Sequence, residues 1–514
     1  MRIDRRSIHV DLGDHEGPRT IDVLFDGRRV WSARVAPDAG GRIAWPNALK
    51  PYLRGRTMIT LRDAADDEVI ASREVTFPGS TDRIRLADSM GRPLAMNKWD
   101  RLGPVFDGGE ASLRDRLLKH SAEIVRVVQD AGFSVYIVGG SLLGYMRSGG
   151  LLPHDDDVDL AFLSEHSDPS DIALDSYRME RVLRVAGYTV VRHSLAHLEI
   201  DFFDDRGHVE HYVDVFTGYF RDGLYHQPFA LRGPEVVRED LLPVVDVDVD
   251  GVALPAPARP EAWLEYAYGP NWRIPDPSFK FETSQWTRRR FENSFGVFNR
   301  ARVYWEKRYL ALDSIRQAEP AGGGLDRFLD ALPAGANVLD LGCGTGEATN
   351  RIAAAGHSVL GIDFSHEALS IASANAVAGA RFAYANLNDR HDLFGLGAQL
   401  LATGEVWHVR IADLVHGLTQ VNRENVFLFL QLVLRGEGFA SGSVPTNLPK
   451  GYQRGNPTSW HYPRDWIEQE IGPFPLRVEF GHEHVIRTDL GNRTIQEFII
   501  VADASARVVE GEQQ

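Results

Sequence analysis

Three glycines at alternate positions, Gly342, Gly344 and Gly346, separate a short apolar strand from a helix in the C-terminal part of the chain. The strand covers 338–341, and the next predicted strand, 358–362, is followed by Asp363. Glycines in such a turn let the backbone approach a ligand closely, and a carboxylate after the next strand accepts hydrogen bonds from ribose hydroxyls. The pattern therefore predicts a doubly wound, Rossmann-like α/β domain that binds an adenosine-containing ligand.

The form of this turn, Asp340 followed by the three glycines, resembles that of class I S-adenosylmethionine-dependent methyltransferases over residues 299–505. The resemblance implies S-adenosylmethionine as the cofactor, with Asp340, the glycines and Asp363 at its binding site. In that family an aspartate usually ends the third strand and faces the adenine amine, whereas this chain has Asn386 there, which can still accept a hydrogen bond. An NAD-binding unit is the competing interpretation.

Two further features accompany this domain. The run from Val409 to Leu418 resembles an Arg and His pattern of a bacterial glycan-associated methyltransferase subgroup, which makes His416 either a base near the methyl acceptor or a structural histidine. A predicted helix with Tyr304, Trp305 and Arg308 either closes over the methionine end of the cofactor or packs as an aromatic surface.

The middle of the chain carries a second glycine-rich turn. Gly139, Gly140 and Ser141 follow the predicted strand 135–138, and a helical segment with Arg147 leads to an acidic strand that starts near Asp157. Backbone amides at a helix N-terminus suit a phosphate group. Strand alternation places Asp155, Asp157 and Asp159 on one face, where oxygen ligands suit Mg²⁺ or Mn²⁺. A solvated acidic turn or a structural Ca²⁺ loop is the alternative interpretation.

This order of strand, Gly-Gly-Ser, short helix and alternating aspartates is typical of the nucleotidyltransferase superfamily, and the fuller string resembles the LicD/fukutin-type phosphotransferases. The resemblance spans about 112–280, within a domain placed at 100–298. It implies transfer of a phospho-substituent from a CDP-activated donor to a sugar hydroxyl. Gly140, Ser141 and Arg147 would bind the diphosphate, with Asp157 and Asp159 as metal ligands and catalytic residues.

A third carboxylate from a later strand completes the metal site of this superfamily. The run from His211 to Phe216 looks like the Val-Asp-Ile-Phe segment of the family, which favours Asp214. Asp201 and Glu199, on a similar strand, are the alternatives. His154, directly before the acidic run, is either a hydrogen-bonded turn histidine or a catalytic one.

The remaining features limit the class of protein. Short alternating runs in residues 1–95 predict a β-sandwich-like accessory domain. A net charge of −16 argues against nucleic acid as a partner. The single cysteine excludes an intramolecular disulfide, and no signal peptide or run of about 20 apolar residues is present, so we expect a cytoplasmic protein, free or peripheral at the inner face of a membrane.

The expected function is a bifunctional transferase that decorates one acceptor, a free or lipid-linked bacterial cell-surface glycan or a teichoic-acid-like polymer. One alternative is nucleotidyl transfer to a small molecule, with an accompanying methyltransferase. The other is that one of the two domains is an inactive binding module. This alternative applies more readily to the C-terminal domain, because Asn386 departs from the family pattern and His416 has two interpretations.

Overall fold

The computed structural model describes residues 1–11, 19–36, 40–64, 66–87, 93–96, 102–104, 111–152, 157–205, 207–228, 236–274, 279, 283–310 and 324–503. The chain divides into two compact units, Met1–Phe202 with Glu210–Gly296 and Phe203–Val209 with Val297–Gln514. Within the described ranges, no helix combines the length and apolar character that a bilayer crossing requires.

The N-terminal part of the first unit is built from antiparallel sheets, which confirms the predicted β-rich region. Its strands are β1 (Arg2–Ile3), β2 (Ser7–His9), β3 (Arg19–Phe25), β4 (Arg28–Val35), β5 (Arg42–Ala44), β6 (Gly55–Asp63), β7 (Val69–Phe77), β8 (Leu94–Met96) and β9 (Leu102–Pro104). Strand orders are β1-β2-β5, β4-β3-β6-β7 and β8-β9. Alternate side chains of the two larger sheets, such as Ile8 and Ile21, share one core with Trp45.

The rest of the first unit is an α/β region. Its elements are α1 (Ala111–Asp130), β10 (Val135–Ile137), α2 (Gly139–Ser148), β11 (Asp157–Leu163), α3 (Pro169–Val185), β12 (Thr189–Ser194), β13 (His197–Phe203), β14 (Val209–Arg221), β15 (Leu224–His226), α4 (Arg238–Leu241), β16 (Val245–Val249), β17 (Val252–Ala256), α5 (Pro260–Tyr268) and α6 (Gln285–Phe295). The main sheet has the order β10-β11-β14-β13-β12, and β15 extends it beside β14.

One parallel pairing positions the predicted site in this sheet. Strands β11 and β14 run parallel and align Asp159 with Asp214, whereas β10 pairs with β11 in the antiparallel sense. Along β11 and β14, Val158, Leu160, Val213 and Val215 are buried in the apolar core. Because side chains alternate along a strand, the aspartates between them lie on the opposite face of the sheet.

The second unit contains a seven-stranded sheet flanked by helices. Its elements are α7 (Arg302–Leu310), α8 (Leu325–Ala331), β18 (Asn337–Leu341), α9 (Glu347–Ala354), β19 (Ser358–Asp363), α10 (His366–Ala374), β20 (Ala380–Tyr384), α11 (Arg390–Ala402), β21 (Trp407–Arg410), α12 (Gln420–Val433), β22 (Phe439–Pro445), α13 (Arg464–Ile471), β23 (Leu476–Thr488) and β24 (Gly491–Ala502).

The strand order of this sheet is β20-β19-β18-β21-β22-β24-β23. Strands β18 to β22 are parallel, and β24 is antiparallel to both β22 and β23. The chain proceeds from β18 to β19 and β20 on one side, then returns to β21 on the other side of β18. Ligands of doubly wound sheets bind at the carboxyl ends of the strands beside such a reversal. The predicted Rossmann-like fold is confirmed.

Candidate active sites

Three carboxylates converge on one face of the sheet in the first unit. Asp157 and Asp159 come from β11 and Asp214 from β14, and one oxygen of each lies within 4.8 Å of the others. All three residues are largely buried. The structure therefore brings together the three predicted metal ligands. The neighbouring residues His154, Asp155 and Asp156 lie outside the described residues.

Helix α2 fixes Asp159 from the side of β10. The Gly140 N–H donates to Asp159 Oδ2 over 3.1 Å, and the Asp159 N–H donates to Ser141 Oγ over 3.0 Å. Gly139 has a φ of +58°, and a Cβ added there would lie 2.0 Å from Asp159 Oδ2, so only glycine fits. The glycine-rich turn thus places the positive end of α2 beside a metal-ligand candidate.

Of the three phosphate-binding candidates on α2, Gly140 and Ser141 form hydrogen bonds with Asp159, and Arg147 has partners elsewhere. Its Nε donates to the Trp272 carbonyl over 2.9 Å, and its Nη2 donates to the Ile274 carbonyl over 3.1 Å. Partial burial lowers the pKa of this guanidinium from its ordinary value. Diphosphate binding by Gly140, Ser141 and Arg147 stays a prediction.

A histidine that the sequence did not single out contacts Asp214. Nε2 of His197, on β13, lies 2.8 Å from Asp214 Oδ1. Burial lowers the pKa of His197 to about 4, so the imidazole is neutral near pH 7. In the tautomer that carries its proton on Nε2, this nitrogen donates to the Asp214 carboxylate. The His197 ring stacks on His193, with 4.5 Å between ring centroids, and His193 Nε2 lies 2.9 Å from Glu199 Oε2.

The electrostatics of this face favour a cation. Burial, the largest cause, and the nearby Glu199, Asp157 and Asp201 carboxylates raise the pKa of Asp214 well above its ordinary value. Buried carboxylates repel one another unless a positive charge neutralises them, and a set of oxygen donors fits Mg²⁺ or Mn²⁺. Residues at alternate positions of a strand share one face, so His197 lies on the same face as Asp201. This alternation was the sequence feature from which His197 could have been predicted as a site residue.

The second unit has a cavity of about 240 Å³ at the carboxyl ends of its parallel strands. Gly342 and Asp363, two of the residues predicted to bind the cofactor, line this cavity. Asp363 accepts hydrogen bonds from the Gly344 N–H over 3.0 Å and from the Ser365 N–H over 2.9 Å. Burial raises the pKa of Asp363 to about 6, although these backbone amides favour its ionised form.

The structure explains why glycine occupies three positions of this turn. Gly342, Gly344 and Gly346 all have positive φ angles. A Cβ on Gly344 would lie 3.0 Å from Tyr309 Oη, and one on Gly346 would lie 2.6 Å from Phe382 Cζ. Side chains at these positions would therefore strain the backbone and collide with aromatic residues.

Two of the residues predicted to bind the cofactor form hydrogen bonds with other groups of the protein. Asp340 is fully buried, accepting from Thr349 Oγ1 over 2.7 Å and from Arg410 Nη1 over 3.0 Å. Asn386 accepts from the Asn388 N–H over 3.0 Å and donates to the Phe298 carbonyl over 2.9 Å. Asn388 lines the cavity. A contact between Asn386 and adenine stays a prediction.

Helix α7 contributes one wall of the cavity through Trp305 and Tyr309. Glu306 accepts hydrogen bonds from the backbone N–H groups of His366 and Glu367 at the start of α10, which holds α7 in place. The other two residues singled out on this helix have contacts within the protein. Tyr304 donates to Asn456 Oδ1 over 2.7 Å, and the Arg308 guanidinium lies 5.9 Å from the Trp305 ring centroid. Tyr309 was not among the residues predicted from the sequence to lie at this site.

His416 occupies a short 3-10 helix, Val415–Gly417, and is buried. Burial, followed by the cations of Arg493 and Arg423, lowers its pKa to about 3. An imidazole with so low a pKa is a weak base. Gly417 and Leu418 are among the described residues that line the cavity, whereas the His416 side chain is not. Its role as a base stays a prediction.

Comparison with known proteins identifies the two domains. Residues 132–259 match the family model described as "LicD/FKTN/FKRP, nucleotidyltransferase domain", and residues 338–425 match a "Methyltransferase domain" model. The human ribitol 5-phosphate transferase FKRP is 29% identical over 175 residues, which cover 32% of this chain and 34% of that protein. The chain thus spans about a third of the length of this curated relative.

Solved structures of methyltransferases match part of the chain at low sequence identity. A methyltransferase from Anabaena variabilis is 16% identical, with a TM-score of 0.33, and covers 40% of this chain and 94% of its own. Magnesium protoporphyrin IX methyltransferase from Synechocystis is 17% identical, with a TM-score of 0.30, and covers 39% and 97% respectively. The family matches carry the assignment: the chain is an enzyme with a LicD/FKTN/FKRP-type transferase domain and a methyltransferase domain.

Proposed function

We propose that this two-domain transferase moves a phospho-substituent from a CDP-activated donor to a glycan hydroxyl and also methylates the product. The observation that carries the first activity is the convergence of Asp157, Asp159 and Asp214 beside the N-terminus of α2. The name of the human relative indicates ribitol 5-phosphate as a transferred group, so CDP-ribitol is the first donor to test. We place the reaction in the cytoplasm, on a free or lipid-linked bacterial cell-surface glycan.

The three aspartates would hold Mg²⁺ or Mn²⁺. Such a cation neutralises charge that develops on the acceptor oxygen and on the leaving phosphate. The protein supplies the orientation of the ligands: the Gly140 N–H fixes the carboxylate of Asp159, and His197 fixes that of Asp214. The amides at the start of α2 and the Arg147 guanidinium would bind the diphosphate after exchanging their present partners.

The second activity rests on the methyltransferase domain match and on the cavity beside Gly342 and Asp363. S-adenosylmethionine supplies the methyl group when bound. Asp363 would accept hydrogen bonds from the ribose hydroxyls, and the positive-φ glycines allow the backbone to approach the ligand. Trp305 and Tyr309 would cover the ligand from α7.

Product analysis separates this proposal from nucleotidyl transfer to a small molecule. Purified protein with Mg²⁺, CDP-ribitol or CDP-choline and candidate glycans should release CMP, and EDTA should stop the release. If nucleoside triphosphates gave pyrophosphate and a nucleotidylated small molecule, while no CDP-linked donor gave CMP, the proposal would fail in favour of nucleotidyl transfer.

His197 offers a test of the metal site that does not depend on the donor. Loss of a group that orients a metal ligand typically reduces metal affinity about 10- to 100-fold. We therefore expect His197→Ala to weaken Mn²⁺ binding by about that factor, measured from the electron paramagnetic resonance signal of free Mn²⁺. His197→Gln, which keeps an N–H donor, should retain more affinity. The exposed His166→Ala is the matched control, and equal Mn²⁺ affinity in all four proteins would contradict this role.

The two activities are expected to act on one product. Tethering raises the effective concentration of one site's product at the other, which is an advantage only for a shared substrate. Label from S-adenosylmethionine should enter the glycan, and incorporation should fall when the donor is omitted or when Asp157→Ala/Asp159→Ala protein is used. If methylation comes first, CMP release should instead require S-adenosylmethionine. If the rate of each reaction did not depend on the other activity, and the two modifications were never found on one molecule, a shared substrate would be contradicted.

A further inference from the structure

Backbone strain in the second unit concentrates at the methyltransferase cavity. Among the described residues, six non-glycine residues have left-handed φ angles: Asp26, Asp67, Asp222, Asp250, Ala301 and Asp413. The first four lie in turns between consecutive paired strands, where this conformation is ordinary. Ala301, with φ of 68°, and Asp413, with φ of 54°, both line the cavity instead. Left-handed backbone at non-glycine residues outside such hairpin turns tends to occur at functional sites.

The position of Asp413 follows from the strand order. Strands β19 and β21 flank β18, so Asp363, at the end of β19, and Asp413, just after β21, lie on opposite sides of the glycine turn. The Asp413 N–H donates to the Ser443 carbonyl over 2.9 Å, which fixes its backbone against the chain of β22. Asp413 is solvent-exposed, as a residue at the mouth of the cavity would be.

Asp363 and Asp413 are the two acidic residues among the described residues that line the cavity. The Asp363 carboxylate accepts hydrogen bonds from backbone amides and faces the nucleoside-binding turn. Thr419, Asn422 and Trp460 also line the cavity, where they offer hydrogen-bonding groups and one aromatic face. Such a combination suits a polyhydroxylated ligand, because hydroxyls bond to the polar groups while the ring covers C–H surface.

We propose that Asp413 is the base of methyl transfer and that its carboxylate faces the methyl group to be transferred. The inference deepens the proposed methyltransferase activity and rests on it. The acceptor is a hydroxyl of a polyhydroxylated compound. Its O–H bond breaks, the proton passes to the Asp413 carboxylate, and the oxygen takes the methyl group as the C–S bond of S-adenosylmethionine breaks, leaving S-adenosylhomocysteine. The carboxylate then releases the proton to water.

Binding of two cofactor analogues tests the placement without any acceptor. Sinefungin carries an ammonium group where S-adenosylmethionine carries its methylsulfonium, whereas S-adenosylhomocysteine has no charge there. Asp413→Asn should therefore weaken sinefungin binding about tenfold, the effect of one lost charge-assisted contact, and leave S-adenosylhomocysteine binding unchanged in calorimetric titration. Asparagine tolerates the left-handed conformation as well as aspartate does, so the backbone should be preserved. Asp413→Gly should show the same selective loss.

The matched control is Asp222→Asn, which makes the same change at an exposed left-handed residue in a hairpin turn of the other unit. Equal losses for both ligands, or no loss for either, would overturn the placement of Asp413. If the wild-type protein bound neither ligand, the proposed methyltransferase activity would fail, whereas binding without selectivity would contradict this inference alone.

Turnover tests the role as a base. With the phospho-substituted glycan as acceptor, Asp413→Asn should lower the rate of methyl incorporation at saturating S-adenosylmethionine about 100-fold or more, the contribution typical of a positioned base. The Michaelis constant for S-adenosylmethionine should change much less. A full rate in Asp413→Asn, or a loss confined to His416→Gln, would overturn the assignment of the base.

Discussion

Replacing Asp157 or Asp159 by asparagine is expected to lower CMP release from a CDP-linked donor about a thousandfold or more. Each change removes one charged oxygen ligand from a cluster whose oxygens lie within 4.8 Å of one another. The several kcal/mol of transition-state stabilisation supplied by a bound cation would be lost with it. Asparagine preserves the size of the side chain, so the fold and S-adenosylmethionine binding should stay intact.

Two comparison variants make this experiment specific. Asp214→Asn should show a loss of similar size, whereas Asp201→Asn should show a much smaller one, because the three-carboxylate cluster contains Asp214 and not Asp201. Asp222→Asn, at an exposed turn, should leave the rate unchanged. The metal assignment fails if the double variant Asp157→Asn/Asp159→Asn releases CMP at the wild-type rate with its Mn²⁺ affinity intact.

Replacing Asp363 by alanine is expected to weaken S-adenosylmethionine binding by about 1.5 to 3 kcal/mol, the scale of charge-assisted hydrogen bonds lost from ribose hydroxyls. This corresponds to about 10- to 150-fold in the dissociation constant, measured by calorimetric titration. The carboxylate also accepts from the Gly344 and Ser365 amides. Asp363→Asn, which keeps one acceptor oxygen for these amides, should lose less. Unchanged affinity in the alanine variant, or tighter binding of NAD than of S-adenosylmethionine, would contradict the assigned site.

The same carboxylate predicts a pH dependence of binding. Burial raises the pKa of Asp363 to about 6, so the group loses its charge as the pH falls through that value. The ionised form is the better acceptor for two ribose hydroxyls, and affinity should therefore be constant above about pH 7 and decline below about pH 6. Asp363→Asn should remove this decline. A wild-type affinity that is flat to pH 5, in protein that remains folded, would show that Asp363 is not the titrating contact.

The sequence by itself determined the local parts of both sites. Glycines at fixed offsets after a strand require a tight turn, and the positive φ angles of Gly342, Gly344 and Gly346 confirm that requirement. Alternation along one strand put Asp157 and Asp159 on the same face, since the side-chain period of a strand is two. The two enzyme domains were recognisable because these constraints are short-range and appear directly as residue types at set spacings.

Only the tertiary structure decided which distant residues meet. Asp214, Asp201 and Glu199 all lie on strands with apolar alternation, and the parallel register of β11 with β14 brings Asp214 opposite Asp159. The same packing places His197 against Asp214 and puts Asn388 and Asp413 on the wall of the cavity. Strand order and register depend on non-local packing of buried faces, and periodicity within one segment contains no information about its neighbour.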